Sequence, residues 1–353
     1  MTARRWLPWP VLGIATAAAA VGLSALGLPS STLFAALLVG VAVALARPGR
    51  VEVAEFVFRA AQAVMGVTLG AYLQSSSLSG LGDSWLPVAL VGGATLVISL
   101  ACGVALSWIT GIDRATGALG MVAGGASGIV TMARELGADD RLVAFMQYLR
   151  VFVVVLLTPV LVTVLFPGHH SGGPPTSEEP LLGDLRGWVF TFGLAVAGVA
   201  AGRLLRIPAA MLLGPMILAA VVTLAIPGGR FGVPPPLREV AFALIGLQVG
   251  LRFTVATVRE VGRLLIPVLA CILALLVACF GLAVALELAT DVSLADAYLA
   301  TTPGGLYAVL AVAFGAGSNT TFVIATQALR VFVMVLLAPV AIRALVGRPV
   351  VRS

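Results

Sequence analysis

The chain contains no lysine; all 21 of its basic residues are arginine. High-GC codon usage accounts for that bias, so no chemistry follows from it. Charge of either sign is scarce, at 10% of 353 residues, and aromatics make up only 7%. A soluble domain of this size needs a much more polar surface, which excludes that class. Histidine occurs only as the adjacent pair His169-His170, among glycines and prolines. A membrane copper or iron centre needs several imidazoles or carboxylates facing one another, and the residues for one are missing. The three cysteines, Cys102, Cys271 and Cys279, lie in apolar runs without CxxC spacing. They read as small buried hydrophobes. No G-x-x-x-x-G-K-[ST] loop is present, so ATP-driven transport has no support. Neither a cofactor nor an enzymatic activity is expected.

What is abundant is apolar sequence. Hydrophobic residues reach 60% and the mean hydropathy is +1.11. Several runs attain the roughly 20 residues that a bilayer requires. A net charge of +6 and a pI near 10.0 would suggest nucleic acid in a soluble chain. Here the arginines cluster between apolar runs, so membrane topology is the better account. The expected partner is therefore the lipid bilayer and not nucleic acid. Arg4-Arg5 before Val11–Leu28 has the form of a signal peptide. A duplication described next needs that run as its opening helix, so it reads as a retained first span.

The chain says one thing twice. Residues 147–160 read QYLRVFVVVLLTPV and residues 327–340 read QALRVFVMVLLAPV. The register extends backwards: Gly124-Gly125 matches Gly304-Gly305, Pro87 matches Pro267, and Gly66 and Gly70 match Gly246 and Gly250. Leu28-Pro29 matches Ile207-Pro208 at an offset one residue shorter. Doubled membrane units are a common architecture of secondary transporters. The expected organisation is a first membrane repeat over 1–166, an external linker over 167–187 and a second repeat over 188–353.

The pattern predicts membrane helices near 11–27, 31–46, 54–73, 86–109 and 142–166, then 188–205, 209–226, 237–253, 264–289 and 322–346. Two glycine-rich apolar segments remain, 115–133 and 294–316. The arginines orient the spans. With Arg4 and Arg5 inside, sixteen of the 21 arginines fall inside or at the inner interface. Arg186, Arg230 and Arg238 fall outside, and Arg150 and Arg330 lie within apolar runs. Both termini are then cytoplasmic and 167–187 is external. Segment 115–133 begins and ends inside, and 294–316 begins and ends outside, so both read as re-entrant hairpins. The expected fold is an all-α polytopic membrane protein. It has two inverted-topology repeats, each of five transmembrane helices plus a re-entrant glycine-rich hairpin. A rival count makes both segments true spans, giving twelve spans and parallel repeats.

The hairpins carry the least helical sequence: Gly124-Gly125-Ala126-Ser127-Gly128 in one, Pro303-Gly304-Gly305 in the other. Broken backbone at membrane depth is tolerated only inside protein or against a water-filled cavity. Its free N–H and C=O groups can bind a solute, and half-helix amino termini favour an anion. The competing reading is close packing by small residues. Arg150 and Arg330 are the clear deep charges, with no acid in the same runs to pair with them. Gln147 and Gln327 lie one turn earlier on the same helical faces. Either these arginines coordinate an anion from two sides, or they satisfy hairpin carbonyls. The candidate substrate-binding set is Arg150, Arg330, Gln147, Gln327, Gly124, Gly125, Ser127, Pro303, Gly304 and Gly305. No metal site is expected. A coupling sodium ion or proton would have to use carbonyls, the hydroxyls of Thr68, Ser127, Thr301, Thr302 and Ser318, or Asn319 and Gln248.

These residues resemble the AbrB-type membrane family, a tandem duplication of two roughly 150-residue units. The resemblance rests on the GG…GAD…LVA…Q-x-LR-V block, on Ile207–Pro215, and on Gln62–Tyr72 and Ala243–Phe253. It covers nearly the whole chain. This chain departs from the doubled pattern where Ala35-Ala36 faces Gly214-Pro215 and Ala123 faces Pro303. The resemblance implies the fold more than an activity, since labels in the family include ammonia monooxygenase and regulator of gene expression. The first label lacks the metal ligands it needs. Direct transcription control lacks a soluble stretch large enough for a helix-turn-helix. The inverted scheme is also similar, at fold level only, to glutamate–sodium and citrate–sodium symporters. The expected function is secondary transport of a small anionic solute across a bacterial inner membrane, with a homodimer compatible. A membrane sensor influencing genes indirectly is the alternative.

Overall fold

The computed structural model describes residues 8–28, 30–47, 51–71, 85–123, 129, 132–134, 136–166, 183–205, 207, 210–225, 232–253, 262–315 and 318–346. Among these residues the structure is helical, without strands. Thirteen α-helices are described. The first six are α1 (Pro8–Ala25), α2 (Ser31–Ala46), α3 (Glu55–Ala71), α4 (Trp85–Thr110), α5 (Arg114–Met121) and α6 (Asp140–Leu165). Then come α7 (Leu185–Leu204), α8 (Ala210–Ala225), α9 (Pro235–Gly250) and α10 (Leu265–Ala289). The last are α11 (Leu294–Thr301), α12 (Leu306–Gly315) and α13 (Thr320–Val346). Each of the ten apolar segments read as helical from the sequence is a helix within a few residues of its expected bounds.

Four stretches are long and apolar enough to cross a bilayer: Trp85–Thr110, Asp140–Leu165, Leu185–Leu204 and Gly262–Ala289. Trp9–Ala25, Ser31–Ala46 and Ala210–Ala225 are shorter and equally apolar. Large apolar side chains stand exposed along them, Val277 at 73% and Val196 at 72%. A lipid environment, not water, suits such a surface. The chain is a membrane-embedded helical protein. Pro87 and Pro267 each occupy the third residue of a long helix, α4 and α10. Proline costs little there, because the first-turn amides have no intrahelical acceptor.

The chain divides into two compact units, and each draws on both halves of the sequence. Unit one comprises residues 1–81, 155–255 and 307–324; unit two comprises 82–154, 256–306 and 325–353.

In unit one, α2 packs against α9 and α3 against α8. The contact surfaces are glycines pressed on backbone. A Cβ placed on Gly66 would stand 2.4 Å from the Leu212 carbonyl oxygen, and one on Gly70 2.2 Å from that of Met216. In the other pairing, a Cβ on Gly246 would stand 2.3 Å from the Leu33 oxygen and one on Gly250 2.3 Å from the Leu37 oxygen. Without a Cβ the backbones approach closely, as small-x-x-x-small stripes allow in membranes. The exchange is reciprocal. Each half's repeated glycines rest on the second helix of the other half, and Leu33 and Leu37 precede Leu212 and Met216 by the same 179 residues.

In unit two, α4 packs on α5, α10 on α11, and α4 on α10. Gly103 and Gly117 face each other so closely that a Cβ on Gly117 would meet the Gly103 oxygen at 2.3 Å. Every residue of α5 from Ala115 to Met121 is buried, as is every residue of α11 from Ala295 to Thr301. Eight helical residues rise only about 12 Å, far short of a bilayer's apolar thickness. Both short helices are enclosed by protein on all faces, where an interrupted backbone is tolerated.

Candidate functional site

Both short helices begin with a side-chain cap at equivalent places. Asp113 accepts from the Thr116 amide at 2.9 Å, and Ser293 accepts from the Asp296 amide at 3.2 Å. Both helices stop at equivalent places too. The last intrahelical bonds run from the Val122 amide to the Ala118 oxygen (3.1 Å) and from the Thr302 amide to the Tyr298 oxygen (3.0 Å). After Thr302 the chain turns through Pro303, Gly304 (φ 103°) and Gly305 (φ 62°), a left-handed path that favours glycine.

A helix that stops inside protein leaves its last carbonyls without partners. Here α6 and α13 supply them. Gln147 Nε2 donates to the oxygens of Leu119 (2.7 Å) and Val122 (2.8 Å). Arg150 Nη1 donates to the Met121 oxygen (2.8 Å), and its Nη2 to Gln147 Oε1 (2.7 Å). In the second half, Gln327 Nε2 donates to the oxygens of Leu299 (2.7 Å) and Thr302 (3.3 Å). Arg330 Nη1 donates to the Thr302 oxygen as well. Leu119 and Leu299, like Val122 and Thr302, stand 180 residues apart. A guanidinium at each carboxyl end also complements the negative pole of the short helix.

The two glutamines are fully buried, and both arginines are 3% exposed. Neither arginine has an ion-pair partner among the described residues. The guanidinium groups are close enough to repel each other electrostatically. Nε of each has no hydrogen-bond partner among the described residues, and neither does Gln327 Oε1. Gly304 lies against Arg150, and a Cβ there would stand 2.8 Å from Nε. Unit two therefore brings together Arg150, Arg330, Gln147, Gln327, Pro303, Gly304 and Gly305. Gly124, Gly125 and Ser127 lie outside the described residues.

The hydroxyls considered for a coupling ion are already donors. Thr68 bonds the Val64 oxygen at 2.9 Å, Thr301 the Cys279 oxygen at 3.1 Å and Thr302 the Tyr298 oxygen at 2.7 Å. Asn319 Oδ1 caps α13 by accepting from the Phe322 amide at 3.2 Å. Asp139, 180 residues earlier, caps α6 through the Arg141 and Leu142 amides at 3.0 Å. Sequence reasoning missed that role, although D/N at a helix start was a usable signal. It also set Asp296 at an interface. The residue is 9% exposed, and its carboxylate accepts from Ser293 Oγ at 2.8 Å in an S-x-x-D box.

The family model described as "Transition state regulatory protein AbrB" matches residues 32–346. The chain belongs to the AbrB family. It is 33% identical over 352 residues to "Putative regulator AbrB" of Escherichia coli (strain K12), covering 96% of each chain. It is 28% identical over 295 residues to "Uncharacterized protein YhjN" of Bacillus subtilis (strain 168), covering 79% of this chain and 76% of that one. The match to the AbrB family model includes both arginines, both glutamines and both helix breaks.

Proposed function

We propose that this AbrB-family protein is a secondary transporter of a small anionic solute, bound between Arg150 and Arg330. One observation carries the reading: two buried guanidinium groups repel each other with no acid among the described residues to offset them. Their hydrogen bonds to carbonyls account for position but leave two net charges. An arginine in an apolar medium costs at least about 2.5–3.5 kcal/mol, so an exchangeable anion is the natural partner. The broken segment 302–305 supplies carbonyls and immediately precedes the first amides of α12, which favour negative charge.

The reciprocal glycine contacts support two repeats of one unit. Inverted topology, with five spans and a re-entrant segment per repeat, fits the arginine distribution. On this reading the protein sits in the cell membrane with both termini cytoplasmic and acts without enzymatic chemistry. Sodium or a proton is the coupling ion.

Purified protein in liposomes, supplied with labelled organic anions with and without a sodium gradient, tests the proposal. Saturable flux that disappears in Arg330→Gln is expected. Binding without flux would favour the alternative, a membrane sensor that regulates genes indirectly, which the regulator name of the Escherichia coli relative makes the specific second reading.

A further inference from the structure

The donors still free in unit two define a chemistry. Arg150 uses Nη1 on Met121 and Nη2 on Gln147, so its fork is engaged and Nε remains. Arg330 likewise keeps an unpartnered Nε. Two separate N–H donors, one per arginine, match the two oxygens of one carboxylate.

The third free atom breaks the symmetry. Gln147 Oε1 accepts from Arg150, whereas its counterpart Gln327 Oε1 accepts from nothing among the described residues. Gln327 is 0% exposed, and an unmet buried acceptor is costly. All three atoms gather on one short segment. Gln327 and Arg330 both bond the Thr302 oxygen, and Arg150 Nε lies on Gly304.

We infer that the free Nε groups of Arg150 and Arg330 and Oε1 of Gln327 form a subsite for a small 2-hydroxycarboxylate. The carboxylate accepts from the arginines and the hydroxyl donates to Gln327. A simple carboxylate meets the two donors and leaves the amide oxygen unmet. An amino acid would supply a donor, but its ammonium would face two guanidinium groups and be repelled. This inference rests on the anion-binding reading above.

The test uses full-length protein in detergent and isothermal titration with lactate, propionate and inorganic phosphate. Lactate and propionate differ only in the hydroxyl. Lactate is expected to bind roughly tenfold tighter than propionate, the effect of one buried hydrogen bond. That ratio should fall to about one in Gln327→Met. The wild-type ratio stands alone if the variant does not fold. Equal affinity for lactate and propionate, or phosphate binding tighter than lactate, overturns the hydroxycarboxylate subsite and leaves anion binding intact. A ratio that persists in Gln327→Met overturns the role of Gln327. Failure of all three probes to bind overturns both this inference and the reading beneath it.

Discussion

Arg150 packs against Gly304, a residue from the opposite half of the chain, and only the missing Cβ gives the guanidinium its room. The same glycine holds φ 103°, a conformation that side chains avoid. Two independent constraints therefore meet at one position.

Gly304→Ala should suffer both. Strain at positive φ and overpacking each cost about 1–3 kcal/mol. The melting temperature in detergent should drop, and anion affinity should drop with it because Arg150 is displaced. A variant with unchanged melting temperature and affinity would mean that the 302–305 turn relaxes freely.

Arg150→Gln and Arg330→Gln separate binding from capping. Glutamine keeps a donor for the helix-end carbonyl and loses the charge. If an anion is bound, affinity should fall about ten- to a hundredfold, with a small loss of stability. Normal affinity with a lowered melting temperature would leave both arginines purely structural.

Gly70→Ala and Gly250→Ala should act alike, because each puts a methyl group into the opposing backbone, at 2.2 Å from Met216 O and 2.3 Å from Leu37 O. A loss of about 1–3 kcal/mol is expected for each. Thermal melts of the two variants check the equivalence. A large effect at only one of them would mean that the two crossings are not equivalent.

Topology is testable by single-cysteine labelling in intact cells. Asp139 caps α6 and should be spared, so Ile112→Cys and Arg141→Cys are the pair to compare. Labelling from the same, cytoplasmic face is expected. Opposite faces would make 115–133 a true span and remove the inverted arrangement.

The helices were legible because runs such as Trp85–Thr110 are apolar from end to end and need no partner to declare themselves. The breaks were legible because proline and paired glycines interrupt helical sequence, as at Pro303–Gly305. Gln327 and Arg330 were legible as a pair because residues three apart share a face. Partnership across the chain was not. Nothing local tells Gly66 that it will meet Leu212, or Arg150 that it will meet Gly304. The burial of Asp296 was hidden for the same reason, since a carboxylate beside a helix start reads as solvated until its neighbours are known.

The crossed pairing also sets a timetable for synthesis. Helix α2 is complete at Ala46, yet its partner α9 starts at Pro235. At about 5–20 residues per second, the ribosome takes roughly 10–40 s to deliver that partner. Throughout this interval Leu33 and Leu37 lack the glycine face that will cover them, and Gly66 and Gly70 wait similarly for α8. The nascent first half must persist in the bilayer unpaired, exposed to rival helices, until the second half arrives to close around it.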